Sequence, residues 1–264
     1  VTTKLYTNST TIGRAGDTVT LTRSLPNTTD YREPDFIVGG NSTDYDKNEI
    51  YYKTILGFDT SEAMAEAFIS DYADMITSIE TYGGFYIGRY ELSNEGVQKV
   101  KATLTNKNWY ELYKKCTELK ASEKVESRMI WGIQWDLTCD FISKKGEKKS
   151  ITDSRSWGNF LDSIDNAAVM DGTTKKYGEG QTTGFSEYWK ANNIYDLAGN
   201  CTEWTREANS TDYRNYRGGD YYGNGSRNPA SERFYDFADR SNSSLRFSPH
   251  SNNKVALEFI NLNV

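Results

Sequence analysis

The sequence contains very few residues of the kinds that build redox, metal and acid–base sites. Among its 264 residues, three are cysteines and one, His250, is a histidine. An odd and small number of cysteines is a poor disulfide framework. One imidazole cannot form a three-histidine metal site or, without a partner nucleophile, a catalytic triad. We therefore interpret His250 as an ordinary surface residue and expect no metal.

Long apolar runs and an excess of positive charge are missing as well. No apolar run approaches the ~20 residues that cross a bilayer. The net charge of −6 argues against duplex DNA or an anionic membrane as the main partner, because both attract basic proteins. The sequence also lacks a glycine-rich phosphate-binding motif. We expect no membrane insertion, no nucleic-acid partner and no cofactor.

Aromatic residues, by contrast, are abundant. They make up 14 % of the chain and include 19 tyrosines, whereas the apolar content of 36 % is low. Aromatic side chains can therefore carry much of the core, while some tyrosines lie at the surface as contact residues. Cys116 and Cys139 each stand at helical spacing from apolar neighbours, so we expect both to be small buried core residues.

Three segments show helical periodicity. The first spans residues 60–80, where Asp59 or Thr60 can cap the start and Gly83-Gly84 ends the helix. The second runs from about Trp109 to Lys120, and the third begins near Gly132. The strand-like segments are "TVTLTR" (18–23), "FIV" (36–38), "IYYKTIL" (50–56) and "FYIGRYEL" (85–92).

The order of these segments indicates the fold class. Early helices, then loops, then short strands are typical of an α+β domain. Residues 144–190 are polar with little periodicity, and a loop-rich stretch of this length is often functional. Residues 1–34 are threonine-rich and strand-like. We interpret them as an N-terminal extension that precedes a domain of residues 35–264.

Two motifs carry a more specific signal. "NIYDLAGNCTEWT" (193–205) contains a Leu-Ala-Gly-Asn turn that leads into a Glu-Trp-Thr strand, and "YRGGDYY" (216–222) follows it. Weaker blocks stand around them in order: "GGFYIGRYELSN" (83–94), "NKNWYELYKKC" (106–116), "WGIQWDLTCDFI" (131–142) and "LRF" (245–247). In this order the blocks resemble the formylglycine-generating-enzyme-like superfamily. The resemblance implies a C-type-lectin-like α+β fold with two main helices, short strands and many loops.

The residues of the two motifs suit structural roles. Asn200 is placed for a tight turn with a positive φ, and Gly218-Gly219 lets a strand pass close to a neighbour. A tryptophan on the strand after the turn is a natural core anchor. We expect three motif side chains to be buried: Tyr195, Leu197 and Trp204.

The resemblance does not extend to the family's chemistry. The oxidases of this family hold Cu(I) with two C-terminal cysteines, because soft thiolates select that ion. Gly223 and Asn228 stand near those positions here, and no cysteine follows Cys201. A second branch uses iron held by histidines, and this chain has only His250. We therefore expect no enzymatic activity; the alternative is an enzyme of the same superfamily with an altered active site.

The C-terminal third has the composition of a binding surface. About half of the residues between Asn209 and Asn253 are Asn, Ser, Tyr or Asp, with glycine interspersed, as in antibody binding loops. The alternative is a set of irregular loops in a fold that is rich in them. A third interpretation is a structural surface or virion domain without a defined ligand.

The same resemblance includes the variable proteins of diversity-generating retroelements in phages and bacteria. It implies a fixed framework made of Arg217, Gly218, Gly219, Arg233 and Arg240. It also implies a set of scattered ligand-binding positions, which are Tyr221, Tyr222, Asn224, Phe234, Tyr235, Asp236, Phe237, Ser241, Asn242 and Ser243. We expect these positions to form one exposed patch. The expected partner is a protein or glycan on a target surface, and the expected location is extracellular, on a bacterial cell surface or a phage virion.

Overall fold

The structure is a computed structural model, and it describes most of the chain between residue 50 and residue 241. The described residues are 10–14, 17–21, 50–82, 84–122, 125–147, 149–164, 169–170, 173–174, 179–208, 213–241, 254–255 and 257–261. Several sequence features lie outside these ranges: the "FIV" segment, His250, Asn242, Ser243 and the "LRF" block. Helices and small, mostly antiparallel sheets fill the described part, which confirms the α+β class.

Three α-helices occur where the periodicity predicts them. They are α1 (Ser61–Tyr82), α2 (Trp109–Glu118) and α3 (Gly132–Lys144). The Thr60 hydroxyl accepts a hydrogen bond from the Ala63 amide at 3.1 Å, so Thr60 rather than Asp59 caps α1. A reciprocal pair of hydrogen bonds between Asn108 and Glu111 caps α2.

The prediction of a strand over residues 50–56 is wrong. This segment forms a π-helix (Ile50–Leu56), although its β-branched and aromatic residues favour a strand. The reason is tertiary packing on α2. Tyr51 stacks on Tyr110 with ring centroids 5.0 Å apart, and Tyr52 is buried. Gly57, with a φ of 81°, ends the turn.

A four-stranded sheet that contains the predicted ligand-binding positions Phe234 to Phe237 has the strand order β14-β13-β12-β15. Its strands are β12 (Glu203–Ala208), β13 (Tyr213–Arg217), β14 (Arg233–Phe237) and β15 (Lys254–Val255). The first three are antiparallel neighbours, and β15 runs parallel to β12. Among the described strands, β14 therefore lies at one edge of this sheet.

The second sheet has the order β3-β16-β7-β6. Its strands are β3 (Tyr86–Ile87), β6 (Lys120–Ser122), β7 (Val125–Met129) and β16 (Leu257–Asn261). Four two-stranded pairs complete the described strands. They are β1 (Thr10–Arg14) with β2 (Asp17–Leu21), β4 (Leu92–Ser93) with β5 (Gly96–Val97), β8 (Val169–Met170) with β9 (Thr173–Thr174), and β10 (Lys190–Ala191) with β11 (Ile194–Tyr195).

Of two further strand predictions, one is confirmed and the other is correct only in part. β2 confirms the strand predicted within "TVTLTR". The "FYIGRYEL" segment is strand only at β3 and at Leu92. Between them the chain leaves the sheet to meet β11: the Tyr195 amide donates to the Arg89 carbonyl at 2.9 Å, and the Tyr90 and Tyr195 rings stack 5.0 Å apart.

The core is largely aromatic, as the composition predicts. All six tryptophans are buried. Trp109, Trp131 and Trp204 belong to a cluster shared by α1, α2 and β12, whereas Trp135 and Trp157 belong to a second cluster beside α3. Cys116 and Cys139 are buried, as expected, and so is Cys201. None of the described helices is long and apolar enough to span a membrane.

Candidate ligand-binding face

The Leu-Ala-Gly-Asn turn is fixed by a buried side chain. Asn200 has a φ of 63°, which confirms the predicted turn. Its Oδ1 accepts hydrogen bonds at 2.9 Å from Asn159 Nδ2 and from the Gln181 amide, and its Nδ2 donates to the Gln181 carbonyl at 3.1 Å. This one amide therefore joins three loops. The predicted burial of Tyr195, Leu197 and Trp204 is confirmed.

The two glycines after β13 stand where no side chain fits. Gly218 and Gly219 have φ values of 88° and 69°, a region that favours glycine. A Cβ on Gly218 would lie 2.8 Å from Glu203 Oε2, and one on Gly219 would overlap the carbonyl oxygen of Asn228. These two residues turn the chain tightly from β13 into the loop of residues 220–228.

Arg217, the last residue of β13, is completely buried. Its Nη2 donates to Asp136 Oδ1 of α3 at 2.5 Å, and its Nη1 donates to the carbonyls of Ser231 and Glu232 at 3.1 and 3.2 Å. Its Nε lies 3.7 Å from Glu207 Oε2 of β12. Arg217 thus links α3, β12 and the segment that enters β14.

Arg233, the first residue of β14, completes this arrangement. It is buried and forms an ion pair with Glu207, which is itself completely buried. We call Asp136, Glu207, Arg217 and Arg233 the ionic frame. Because Arg217 and Arg233 are cross-strand partners, the frame holds β13 and β14 together at one end. Removing one partner from a buried ion pair is strongly destabilising, since an uncompensated charge remains.

The ten predicted ligand-binding positions differ widely in exposure. Tyr222, Phe234 and Tyr235 are 39 %, 40 % and 49 % exposed, respectively. Asn224, Phe237 and Ser241 are half-buried. Tyr221 and Asp236 are only 8 % exposed, so the prediction of an exposed side chain is wrong for both. Asn242 and Ser243 lie outside the described residues.

Tyr221 and Asp236 are buried for identifiable reasons. The Tyr221 ring packs against Gly180, and its burial raises the pKa of the phenol to about 12. Asp236 Oδ1 accepts hydrogen bonds from the Phe237 amide at 2.8 Å and from Arg240 Nη1 at 3.0 Å. Desolvation by burial raises the pKa of this carboxyl group. Tyr221 therefore serves the structure of its loop, and Asp236 serves the structure of β14 and the residues that follow it.

The exposed candidates fall into two groups. Tyr222 and Asn224 belong to the loop of residues 220–228, which packs against residues 158–164. There the Leu161 amide donates to the Gly223 carbonyl at 2.9 Å, and the Gly225 amide donates to an Asp162 carboxylate oxygen at 2.7 Å. We call Tyr222 and Asn224 the loop group. The second group lies on β14 and contacts β13.

The β14 group is Phe234, Tyr235 and Phe237. It forms aromatic contacts with two tyrosines of β13 that the sequence did not single out. Tyr213 lies 5.3 Å from Tyr235 and 4.2 Å from Phe237 between ring centroids, whereas Tyr216 lies 5.9 Å from Phe234. Side chains alternate along a strand, so Tyr213, Tyr235 and Phe237 share one face of the sheet. We call these three residues the aromatic cluster. Phe234 and Tyr216 share the other face. No alternation in "YRNYR" singles out these two tyrosines, because they are three residues apart and lie on opposite faces.

Asn215 is the remaining residue of interest on the first of these faces. It is the cross-strand partner of Tyr235 and is only 4 % exposed. Its Oδ1 is buried and has no hydrogen-bond partner among the described residues. Buried polar atoms are normally paired. Asn215 thus places an unpaired polar atom beside the exposed Tyr235, between the ionic frame and the aromatic cluster.

The buried cysteines are poorly suited to chemistry. Desolvation by burial raises the pKa of the Cys139 and Cys201 thiols, which disfavours the reactive thiolate. Within the part of the chain that the structure describes, no group of three His, Cys, Asp or Glu side chains could hold a metal ion.

Comparison with known proteins supplies no family for this chain. No family model matches it, and no curated protein matches its sequence.

Proposed function

We propose that this chain is a non-catalytic ligand- or receptor-binding protein. It displays a diversified C-terminal surface on a C-type-lectin-like scaffold, at a bacterial cell surface or on a phage virion. The ligand is a protein or glycan of a target surface. The proposal combines the resemblance of the two C-terminal motifs with the geometry of the β13–β14 face.

One observation carries the proposal: exposed aromatic residues directly adjoin a buried ionic frame. Phe234 and Tyr235 follow the buried Arg233 immediately, yet both are among the most exposed large side chains described. Tyrosine and other aromatic residues are enriched where proteins bind partners, because they supply rigid contact area at low entropic cost. A rigid base with exposed aromatics above it is a favourable arrangement for a binding surface.

The scaffold supports tolerance to change at the same positions. The frame residues and Asn200 make their contacts without using the side chains of Tyr222, Phe234 or Tyr235. Exposed side chains away from such contacts are usually replaceable at small cost in stability. This separation of the exposed side chains from the buried contacts supports the proposal that the former can vary.

The diversification is tested by sequencing the coding locus in many isolates. We expect nucleotide changes to concentrate in the codons of Tyr222, Asn224, Phe234 and Tyr235, while the codons of Arg217 and the other framework residues stay constant. A reverse-transcriptase gene and a near-repeat of the 3′ end of the coding sequence should lie nearby. A locus that is invariant across isolates, without such a gene, would contradict the proposal.

The absence of catalysis is tested with a peptide that carries a sulfatase-type cysteine motif. We expect no formylglycine by mass spectrometry, with or without added copper, because the aligned copper positions are Gly223 and Asn228 and the described thiols are buried. Conversion above that of a protein-free control would support the alternative, an enzyme with an altered active site.

A further inference from the structure

β14 is an edge strand of the described sheet, and it contains no lysine, proline or bulge. Its two charged residues, Arg233 and Asp236, are buried and paired. β14 pairs with β13 on one side, and no described strand pairs with its other side. Natural edge strands are protected by lysine, proline, bulges or very short length. β14 spans five residues, "RFYDF", and its register with β13 is continuous over all five pairs. The Phe237 amide and carbonyl are already bonded to Asp236 Oδ1 and to the Arg240 amide. Among the described residues, the outer edge is therefore open to a further strand only in the part before Phe237.

The exposed aromatic residues lie on both faces of this edge. Phe234 and Tyr235 are consecutive, so their side chains point to opposite faces of the sheet. A ligand that rests on one face would contact only one of them. A strand that is added to the edge places alternate side chains on the two faces, where they can pack beside Phe234 and beside Tyr235.

The charges around β14 favour a basic partner. Glu232 precedes the strand and Asp239 follows it, and neither forms a salt bridge with a described residue. Arg240 is paired with Asp236, and Arg233 is paired with Glu207. Together with the net charge of −6 of the chain, the carboxylates of Glu232 and Asp239 make the surroundings of β14 acidic. The same charges disfavour pairing with the β14 edge of a second copy, because like charges would meet.

Asn215 adds a polar contact on the Tyr235 face. Its unpaired Oδ1 is buried beside a cluster of aromatic rings. Such a place suits the donor end of a long cationic side chain, which also gains from contact with aromatic ring faces. A lysine or arginine of an added strand can therefore pack on the ring of Tyr235 with its cationic end toward Asn215.

We propose that β14 binds an extended, basic peptide segment, which adds to the sheet as a fifth strand. This inference rests on the proposed function, because it names the partner class of the same face. Backbone hydrogen bonds to β14 provide affinity, and contacts with Phe234, Tyr235 and Asn215 provide selectivity.

The probe is an array of linear octapeptides with lysine at both ends and every combination of Val, Thr and Tyr between them. A matched array has glutamate at both ends. We expect the full chain to bind members of the lysine array at least tenfold more tightly than their glutamate counterparts. If no lysine peptide binds better than its glutamate counterpart, the inference is overturned.

Backbone pairing is tested on the best peptide by N-methylation of alternate amides, in two complementary sets. In an extended strand, alternate N–H groups point to the same neighbour. One set should therefore lose binding more than tenfold, while the other stays within about threefold of the parent peptide. Equal effects of the two sets would show recognition by side chains alone and would contradict strand addition.

Three matched variants locate the peptide on the protein. Phe234→Thr and Tyr235→Thr should each weaken binding about tenfold, because the added strand contacts both faces. Tyr222→Thr is the control, since Tyr222 is similarly exposed but belongs to the loop group, and it should change binding less than twofold. Thermal unfolding confirms that each variant is folded. An effect of Tyr235→Thr without one of Phe234→Thr indicates a single-face ligand and overturns the inference.

The same set of variants distinguishes two other ligands of this edge, a glycan and a second copy of the chain. Binding to a glycan array that depends on Tyr235 alone, without peptide binding, overturns the inference while the proposed function stands. A dimer in sedimentation experiments that Phe234→Thr abolishes would show that a second copy occupies the edge, which also overturns it. Conversely, peptide binding by a protein whose coding locus is invariant would contradict diversification and support this inference.

Discussion

β13 and β14 run side by side over five residue pairs, and the two ends of this ribbon are built differently. At one end, the pair Arg217 and Arg233 is buried and held by Asp136 and Glu207. At the other end, the pair Tyr213 and Phe237 belongs to a cluster of aromatic rings that reaches the surface. Both pairs lie on the same face of the sheet, with Asn215 and Tyr235 between them.

The comparison shows how one short ribbon can be both fixed and variable. Charged hydrogen bonds require defined geometry, so the ionic frame specifies where β14 begins and how it is paired. Exposed aromatic rings impose weaker requirements, because their packing tolerates other side chains. The predictions below test whether stability and binding separate along the ribbon in this way.

The largest effect is expected from Arg217→Met, which keeps the volume of the side chain and removes its charge. Asp136 and Glu207 then lose a partner in a buried setting. We expect the free energy of unfolding to fall by about 4–5 kcal/mol, the upper part of the range for breaking buried ion pairs. Chemical denaturation measures this value. A double variant that also carries Asp136→Asn should lose less than the sum of the single changes.

Trp204→Ala tests the aromatic core beneath the ribbon. Trp204 is completely buried, and its ring meets that of Tyr216 edge-on at 5.7 Å. We expect a loss of about 3–5 kcal/mol in the free energy of unfolding, the usual range for a large buried aromatic residue. The matched control is Tyr188→Ala, because Tyr188 is half exposed. Equal losses for the two variants would contradict the assigned core.

A buried carboxyl group in the Leu-Ala-Gly-Asn motif gives a pH dependence. Desolvation by burial raises the pKa of Asp196 from 3.8 to about 7, although the Gly184 amide and the Thr183 hydroxyl donate to its Oδ2. The fold therefore favours the protonated form. This contribution is complete below the unfolded pKa and is lost as the pH rises through the folded pKa.

The expected change is measured by denaturation at pH 5 and pH 7. Between these values the free energy of unfolding should fall by about 2 kcal/mol more in the parent protein than in Asp196→Asn, which cannot titrate there. Burial also raises the pKa of the neighbouring Glu203 carboxyl group, and this group is present in both proteins. Parallel pH profiles for the parent and the variant would show that Asp196 is ionised in the fold.

Local sequence patterns predict the helices, and the family resemblance names Arg217 and Arg233 as framework residues, but neither identifies their partners Asp136 and Glu207. The helices α1, α2 and α3 have strong periodicity and adjacent capping residues, such as Thr60 and Asn108, so their positions follow from nearby residues. The ionic frame joins Asp136 to Arg217 across 81 positions of sequence. No local pattern indicates which of the many charged residues will meet over that separation.

The same lack of long-range information in local patterns explains why Tyr221 and Asp236 are predicted to be exposed although both are buried. A tyrosine in a glycine-rich loop looks the same in sequence whether its ring is exposed, like that of Tyr222, or packed on a distant glycine, like that of Tyr221 on Gly180. The π-helix at residues 50–56 was missed because its stability comes from stacking on α2. Asp236 was assigned to the binding face, yet its pairing with Arg240 places it among the structural residues.

The central claim is that the exposed aromatic positions are independent of the frame, and one comparison tests it directly. The quadruple variant Tyr222→Ser, Asn224→Ser, Phe234→Ser and Tyr235→Ser is unfolded with denaturant beside Arg217→Met. Because surface substitutions usually cost within about 0.5 kcal/mol each, we expect the quadruple variant to lose at most about 2 kcal/mol, half the loss in Arg217→Met or less. A quadruple variant that is as unstable as Arg217→Met, or that fails to fold, would contradict the account.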